Sequence, residues 1–286
     1  MGWVALDIYQ GVANVYSGWI WWNLFLAFVP MLLSFRLFRP RAISPVWFAI
    51  ACFTTAVIGI IGLKSRLPRL IWAISNIVSS ARAGETGTLL QLLWLAGVIL
   101  LALGASLWLS KHSHTRQLWL WWGGLATFIA FLPNAPYVLT DIIHLLRGTS
   151  AGIIKIWVIA FIFIPIHAAV ILVGFEAYVV SLLNVGFYLK QKGLAAFILP
   201  MELCLHGLSA LGIYLGRFIR LNSWDMLVDP TSVIVNTLNT LTSRRPLAVI
   251  CFSFILLTIL YWMMKQVTLG LRLRAHYARR GIDPLE

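Results

Sequence analysis

The stretch IWVIAFIFIPIHAAVILVGFEAYVVSLL, Ile156–Leu183, runs for 28 residues with one carboxylate and no lysine or arginine. About 20 apolar residues suffice to cross about 30 Å of hydrocarbon. The stretch is therefore read as a membrane span, long enough to tilt or to carry an extra turn outside the lipid. Six further runs read the same way or nearly so: Gly18–Phe35, Ser44–Leu63, Leu89–Leu109, Leu118–Leu132, Leu194–Leu215 and Pro246–Met264. The fourth in chain order, Leu118–Leu132, is short and ends in a proline-rich break. The expected fold is all-α: a polytopic transmembrane helical bundle of about seven spans, its fourth helix broken at LPNAPY.

Composition agrees. Of 286 residues, 60% are hydrophobic and 11% charged, and mean hydropathy is +0.89. Soluble domains carry about 25% charged residues, so a water-soluble fold has nowhere to put these side chains. Residues 1–286 read as one integral membrane domain, with a core over 18–264 and a basic cytoplasmic tail over 265–286. The net charge of +13 sits between and after the apolar runs. That placement points to topology and to a bilayer with anionic lipids as the partner, and against nucleic acid, for which no basic domain remains. Cys52, Cys204 and Cys251 all fall inside apolar runs and form no disulfide framework or metal spacing. MGWVALDIYQ has no basic n-region, so the first span is expected to act as its own insertion signal.

Tryptophan marks the span ends. Trp19, Trp21, Trp22, Trp47, Trp119, Trp121, Trp122 and Trp157 stand at openings, and Trp108 and Trp262 near closings. Indole prefers the headgroup level. Trp72 and Trp94 read instead as core aromatics. Between the second and third runs, LPRLIWAISNIVSSAR is expected to form a short interfacial helix. With the N-terminus outside, inner loops and tail hold 12 of the 22 Lys and Arg and outer loops 10. The termini decide: no Lys or Arg precedes the first span, and Lys265, Arg272, Arg274, Arg279 and Arg280 follow the last. The expected orientation is N-terminus outside, C-terminus cytoplasmic.

Two segments stand out against the apolar runs. In FLPNAPYVLTDIIHL, Phe131–Leu145, Pro133 and Pro136 remove backbone donors and break the helix near Asn134. Beyond the break, Tyr137, Thr140, Asp141 and His144 recur at helical spacing. Two readings stand. Asp141 and His144 form a catalytic acid–base pair or, if any metal is bound, its ligands; or Asn134 caps a turn and His144 merely satisfies Asp141. In GIYLGRFIRLNSWDML, Gly212–Leu227, Gly212 and Gly216 offer a close-approach face for a neighbouring helix, a membrane-protein partner or a second copy. Arg217 and Arg220 form a fork for an anionic lipid headgroup or for Asp141, or else snorkel to headgroups. Asn222 or Ser223 reads as a helix cap with Asp225 in the first turn. Two spans separate the segments, so both emerge on the same membrane face. Asn134, Asp141 and His144 are expected to meet Arg217, Arg220 and Asp225 there.

Polar residues inside spans form a third set: Asn23, His167, Glu176, Glu202 and His206. Glu202 and His206, spaced i, i+4, are expected to hydrogen bond, either as a proton relay or as glue between helices. No nucleotide or serine-hydrolase motif occurs.

WNLFLAFVP at Trp22–Pro30, together with the two segments above, resembles a family of bacterial multi-spanning membrane proteins, the domain of unknown function thirteen-sixty-one. The resemblance implies a bacterial inner-membrane protein and raises interest in Asn134, Asp141, His144, Arg217, Asn222 and Asp225. It implies no activity and no cofactor. Three functional readings follow: a polar site binding an anionic, lipid-phosphate-like group, with or without enzymatic chemistry; an accessory subunit of a membrane complex; and a proton-coupled transporter built on Glu176, Glu202, His167 and His206.

Overall fold

A computed structural model describes residues 18–64, 66–90, 113–143, 155–220 and 230–281, with positions 92, 93, 96, 97, 100 and 146. The described residues are helical and hold no strand. Helix α1 is Trp19–Phe38, α2 Pro45–Lys64, α3 Leu67–Arg82 and α4 Ser113–Phe131. The chain turns at 132–133 and continues through a single helical turn, α5, Asn134–Tyr137, into a tight 3-10 turn, Val138–Asp141. We call this unit the corner. Then come α6, Ile156–Gln191, α7, Ala195–Ile219, α8, Pro230–Thr242, and α9, Arg244–Ala278.

Five of these, α1, α2, α6, α7 and α9, are long and apolar enough to cross a membrane. The chain is a membrane protein with several spanning helices. Of the seven runs, Leu89–Leu109 falls largely outside the described residues, and the fourth forms α4, which is not among the five. Trp47, Trp119, Trp122 and Trp262 are exposed, as belt residues are. Trp72 is corrected: it is 68% exposed on α3 rather than in the core.

Local chemistry sets the boundaries. Ser44 accepts the Trp47 amide and opens α2 with Pro45 in its first turn. Pro40 follows Arg39 and stops α1. Pro165 lacks the amide that would continue a regular α-ladder, and a π-helical turn, Ile159–Phe163, precedes it. Gly193, at φ +75°, reverses the chain between α6 and α7. The helix expected to end at Met264 continues to Ala278, because nothing between these positions breaks it.

Helix α1 is central. It packs on α2, α4, the corner and α6, while α7 packs on α9. The core holds Phe38, Phe128, Leu132, Tyr178, Leu182 and Tyr261. In lipid no hydrophobic force drives helix against helix, so close packing must hold them. Two glycines seat the corner. A Cβ on Gly212 would stand 2.5 Å from the Pro133 Cβ, and one on Gly174 would stand 2.6 Å from the Val138 Cγ2. The corner is thus wedged between α6 and α7.

Gly212→Ala is expected to lower detergent-solubilised stability by about 1–3 kcal/mol through overpacking against a rigid proline ring. Gly207→Ala on the same helix, where an added Cβ meets nothing within 4 Å, is expected to leave the melting temperature unchanged. Equal melting temperatures for both variants would contradict this packing.

Candidate functional site

Three residues of the corner and one of α1 meet at one place. Tyr137 at the end of α5 and Thr140 and Asp141 in the 3-10 turn face the last turn of α7, and the first turns of α1 bring Asn23. Asp141 is 1% exposed. Its two oxygens have different partners. The Arg217 Nη2 donates to Oδ1 at 2.9 Å, and the Asn23 Nδ2 donates to Oδ2 at 2.8 Å. The Arg217 Nε donates to the Thr140 Oγ1 at 2.9 Å, and Nη2 also contacts that hydroxyl. The guanidinium lies 4.4 Å over the Tyr137 ring, a cation–π contact. Arg217 keeps 13% of its side chain exposed. Asn134 donates to the Phe131 carbonyl at 3.1 Å and so caps the end of α4.

Burial pushes the Asp141 carboxyl up to about 6, against the opposing pull of the Asn23 hydrogen bond and the Arg217 charge. The pair is charged at neutral pH, and Asp141 takes up a proton under mild acid.

The structure brings Asp141 and Arg217 together, with Tyr137 and Asn23. Arg220 lies exposed at the end of α7 with φ +67°, the only described non-glycine residue at positive φ. Such a conformation costs about 1–3 kcal/mol and tends to mark functional sites. His144, Asn222 and Asp225 lie outside the described residues. Among the described residues no group of three His, Cys, Asp or Glu is placed to hold a metal. Thr140 and Asn23 complete the site. Helical spacing made Thr140 visible beside Asp141, whereas nothing in the sequence connects Asn23 with Asp141 across 118 positions.

The expected Glu202–His206 hydrogen bond is replaced by three others. Glu202 accepts from the Tyr261 hydroxyl and the Lys265 ammonium, each at 2.6 Å. His206 Nδ1 pairs with the Tyr178 hydroxyl at 2.7 Å. One turn apart on α7, the two residues hydrogen bond to different helices, α9 and α6, while the His206 ring also meets the Tyr261 ring edge-on at 4.8 Å. Glu176 accepts from Thr268 at 2.8 Å. The bonds of Glu202 and Glu176 fasten α9 to α7 and α6.

A family model described as a protein of unknown function, DUF1361, matches residues 92–259, more than half of the chain. The chain belongs to this family. No curated protein and no solved structure matches it. The DUF1361 region contains both members of the Asp141–Arg217 pair. Asn23, Lys265 and Thr268 lie outside it.

The folded Asp141 value of about 6 exceeds its ordinary 3.8. The native state therefore binds more protons over that window. Its contribution to stability is full below 3.8 and is lost as pH rises through about 6. Relative to Asp141→Asn, the wild-type melting temperature should rise on acidification from pH 7.5 to pH 4.5. A parallel pH dependence in the two proteins would show that Asp141 does not titrate in this window.

Proposed function

We propose that the corner is a recognition site for an anionic group of the lipid-phosphate class, at the outer face of a bacterial inner membrane. The observation that carries this reading is the position of Arg217. Its guanidinium is held by Asp141, Thr140 and the Tyr137 ring, yet it still reaches the surface. Arginine presents a planar fork that matches a phosphate, and here its orientation is fixed before any anion arrives. Arg220 supplies a second, exposed cation close by in the chain. The flanking surface is apolar: Ile142 and Phe218 are both exposed, a setting for acyl chains rather than for a soluble anion.

Asp141 then acts as a resident counter-ion. It keeps Arg217 paired inside an apolar bundle and competes with an incoming anion. Protonation of Asp141 leaves the guanidinium for the ligand. In an enzymatic version of the site, Asp141 with His144 supplies the proton to a lipid-linked substrate.

A second reading, the accessory subunit, draws on a different observation: both Asp141 oxygens are engaged and the residue is buried. The pair is then an internal pin, and the exposed apolar flanks of the bundle are partner surfaces.

The two readings diverge in sign at one variant. Native mass spectrometry of the full chain, with dioleoyl phosphatidylglycerol as probe, is expected to show more retained lipid for Asp141→Asn than for wild type. Arg217→Gln with Arg220→Gln is expected to show less. Wild type at pH 5 should move toward the Asp141→Asn pattern. Lipid retention that falls in Asp141→Asn, or is equal in all three proteins, overturns the anion site. A stable complex with another membrane protein, unaffected by lipid, favours the subunit.

A further inference from the structure

Two helices outside the five spans, α3 and α8, are too short to cross the membrane. At 1.5 Å per residue α3, Leu67–Arg82, covers about 24 Å and α8, Pro230–Thr242, about 20 Å, against about 30 Å of hydrocarbon. Both nevertheless turn aliphatic side chains outward. On α3, Leu67, Ile71 and Val78 recur at helical spacing in one stripe, and all three are exposed. Asn76 and Ser79 take the other side of the helix. On α8, Ile234, Leu238 and Leu241 form a second exposed stripe, while Thr240, away from it, is buried. A helix that packs on a protein and faces water shows the reverse arrangement, with its apolar stripe inward.

Packing puts both helices at the corner. A Cβ on Gly62 would stand 2.6 Å from the Trp22 backbone nitrogen. The last turn of α2 is therefore level with Trp22, whose neighbour Asn23 bonds Asp141. Helix α3 starts two residues after α2, and between them the Arg66 guanidinium carbon lies 5.1 Å from the Trp22 ring centroid. Helix α8 packs on the final turn of α7, Leu215–Ile219, which carries Arg217. One residue, Ser243, joins α8 to α9. Two residues of chain reach about 7 Å at most, so neither helix can lift away from the end of the span beside it.

Charge and continuity say what covers the stripes. Lys64 and Arg66 precede α3 and Arg82 closes it, while Arg244 and Arg245 follow α8. Lys64, Arg82, Arg244 and Arg245 are exposed. An aliphatic stripe bordered by basic residues matches the boundary between headgroups and acyl chains. Arg66 over an indole repeats that pattern at the point where α2 ends, and indole prefers the headgroup level. The stripes belong to separate helices, and both continue directly from spans that lipid already surrounds. The bilayer meets both at once, whereas a protein partner would have to match each stripe separately.

We propose that α3 and α8 are a pair of interfacial helices docked on the bilayer in the leaflet of the corner. Their aliphatic stripes enter the acyl boundary, and Arg66, Arg82, Arg244 and Arg245 meet lipid phosphates. The pair fixes the corner at headgroup depth. This assignment stands whether or not the corner binds an anion.

The test is spin labelling of the full chain in vesicles of dioleoyl phosphatidylcholine and dioleoyl phosphatidylglycerol. The background carries Cys52→Ala, Cys204→Ala and Cys251→Ala. Single labels go on the stripes, at Ile71→Cys, Val78→Cys and Leu238→Cys, and off them, at Asn76→Cys and Asn239→Cys. All five positions are exposed, and the melting temperature of each labelled protein checks that it folds. Stripe labels should be open to oxygen and closed to a water-soluble nickel chelate, and the two asparagine positions should show the opposite preference. On sealed vesicles a membrane-impermeant thiol reagent should reach Asn76→Cys, Asn239→Cys and Arg220→Cys from the same side. Stripe labels open to nickel would place the helices in water, and stripe labels closed to both probes would place them against protein. Either result overturns the proposal, as does labelling of Asn76→Cys and Asn239→Cys from opposite sides. None of these readouts depends on lipid retention at Arg217, so the outcome is separate from that of the anion site.

Discussion

A charge inside an apolar bundle has to be neutralised where it sits, and the Asp141–Arg217 pair is where this chain meets that constraint most severely. Asp141 is buried, and water is not there to solvate it. Removing one partner of such a pair typically costs about 3–5 kcal/mol, because the survivor is left uncompensated. The rest of the corner follows from keeping the pair closed. The 3-10 turn points Thr140 and Asp141 the same way. Asn23 fills the carboxylate oxygen that Arg217 does not reach. Gly174 and Gly212 bring α6 and α7 near enough for the side chains to meet.

The polar residues of α7 show the same constraint spread along one helix. Glu202, His206, Ser209 and Arg217 recur at about helical spacing, on the side that also buries Leu205, Ala210 and Ile213. Each of the three titratable residues meets a different element: Glu202 meets α9, His206 meets α6, and Arg217 meets the corner. The helix therefore works as a spine that fixes three neighbours by directional bonds. Directional bonds are what a membrane bundle needs, since lipid tails compete with apolar side chains on equal terms.

Much of this was legible in the sequence. Apolar run length gave the helices, because hydrocarbon thickness sets a minimum that few soluble helices meet. The proline pair gave the turn after Phe131. The meeting of Asp141 with Arg217 followed from an even number of intervening spans, a topological argument that needs no side-chain detail. What stayed hidden was lateral. Spacing of i, i+4 shows that Glu202 and His206 can bond each other, but not that Lys265 and Tyr178 bind them better. Asn23 read as a polar residue in a span, and only the packing of α1 against the corner gives it a carboxylate to serve. The length of α9 beyond Met264 was missed for a related reason. A basic, polar stretch reads as a solvated tail until Glu202 and Glu176 are seen to need Lys265 and Thr268.

The buried charge of the corner is neutralised within the chain, and this has a physical consequence. At the corner the cation and its counter-ion belong to one chain, so the neutral arrangement is intramolecular and an anion enters only by displacing Asp141. The corner pair also lies within the DUF1361 match, whereas Asn23, which serves the second Asp141 oxygen, lies outside it.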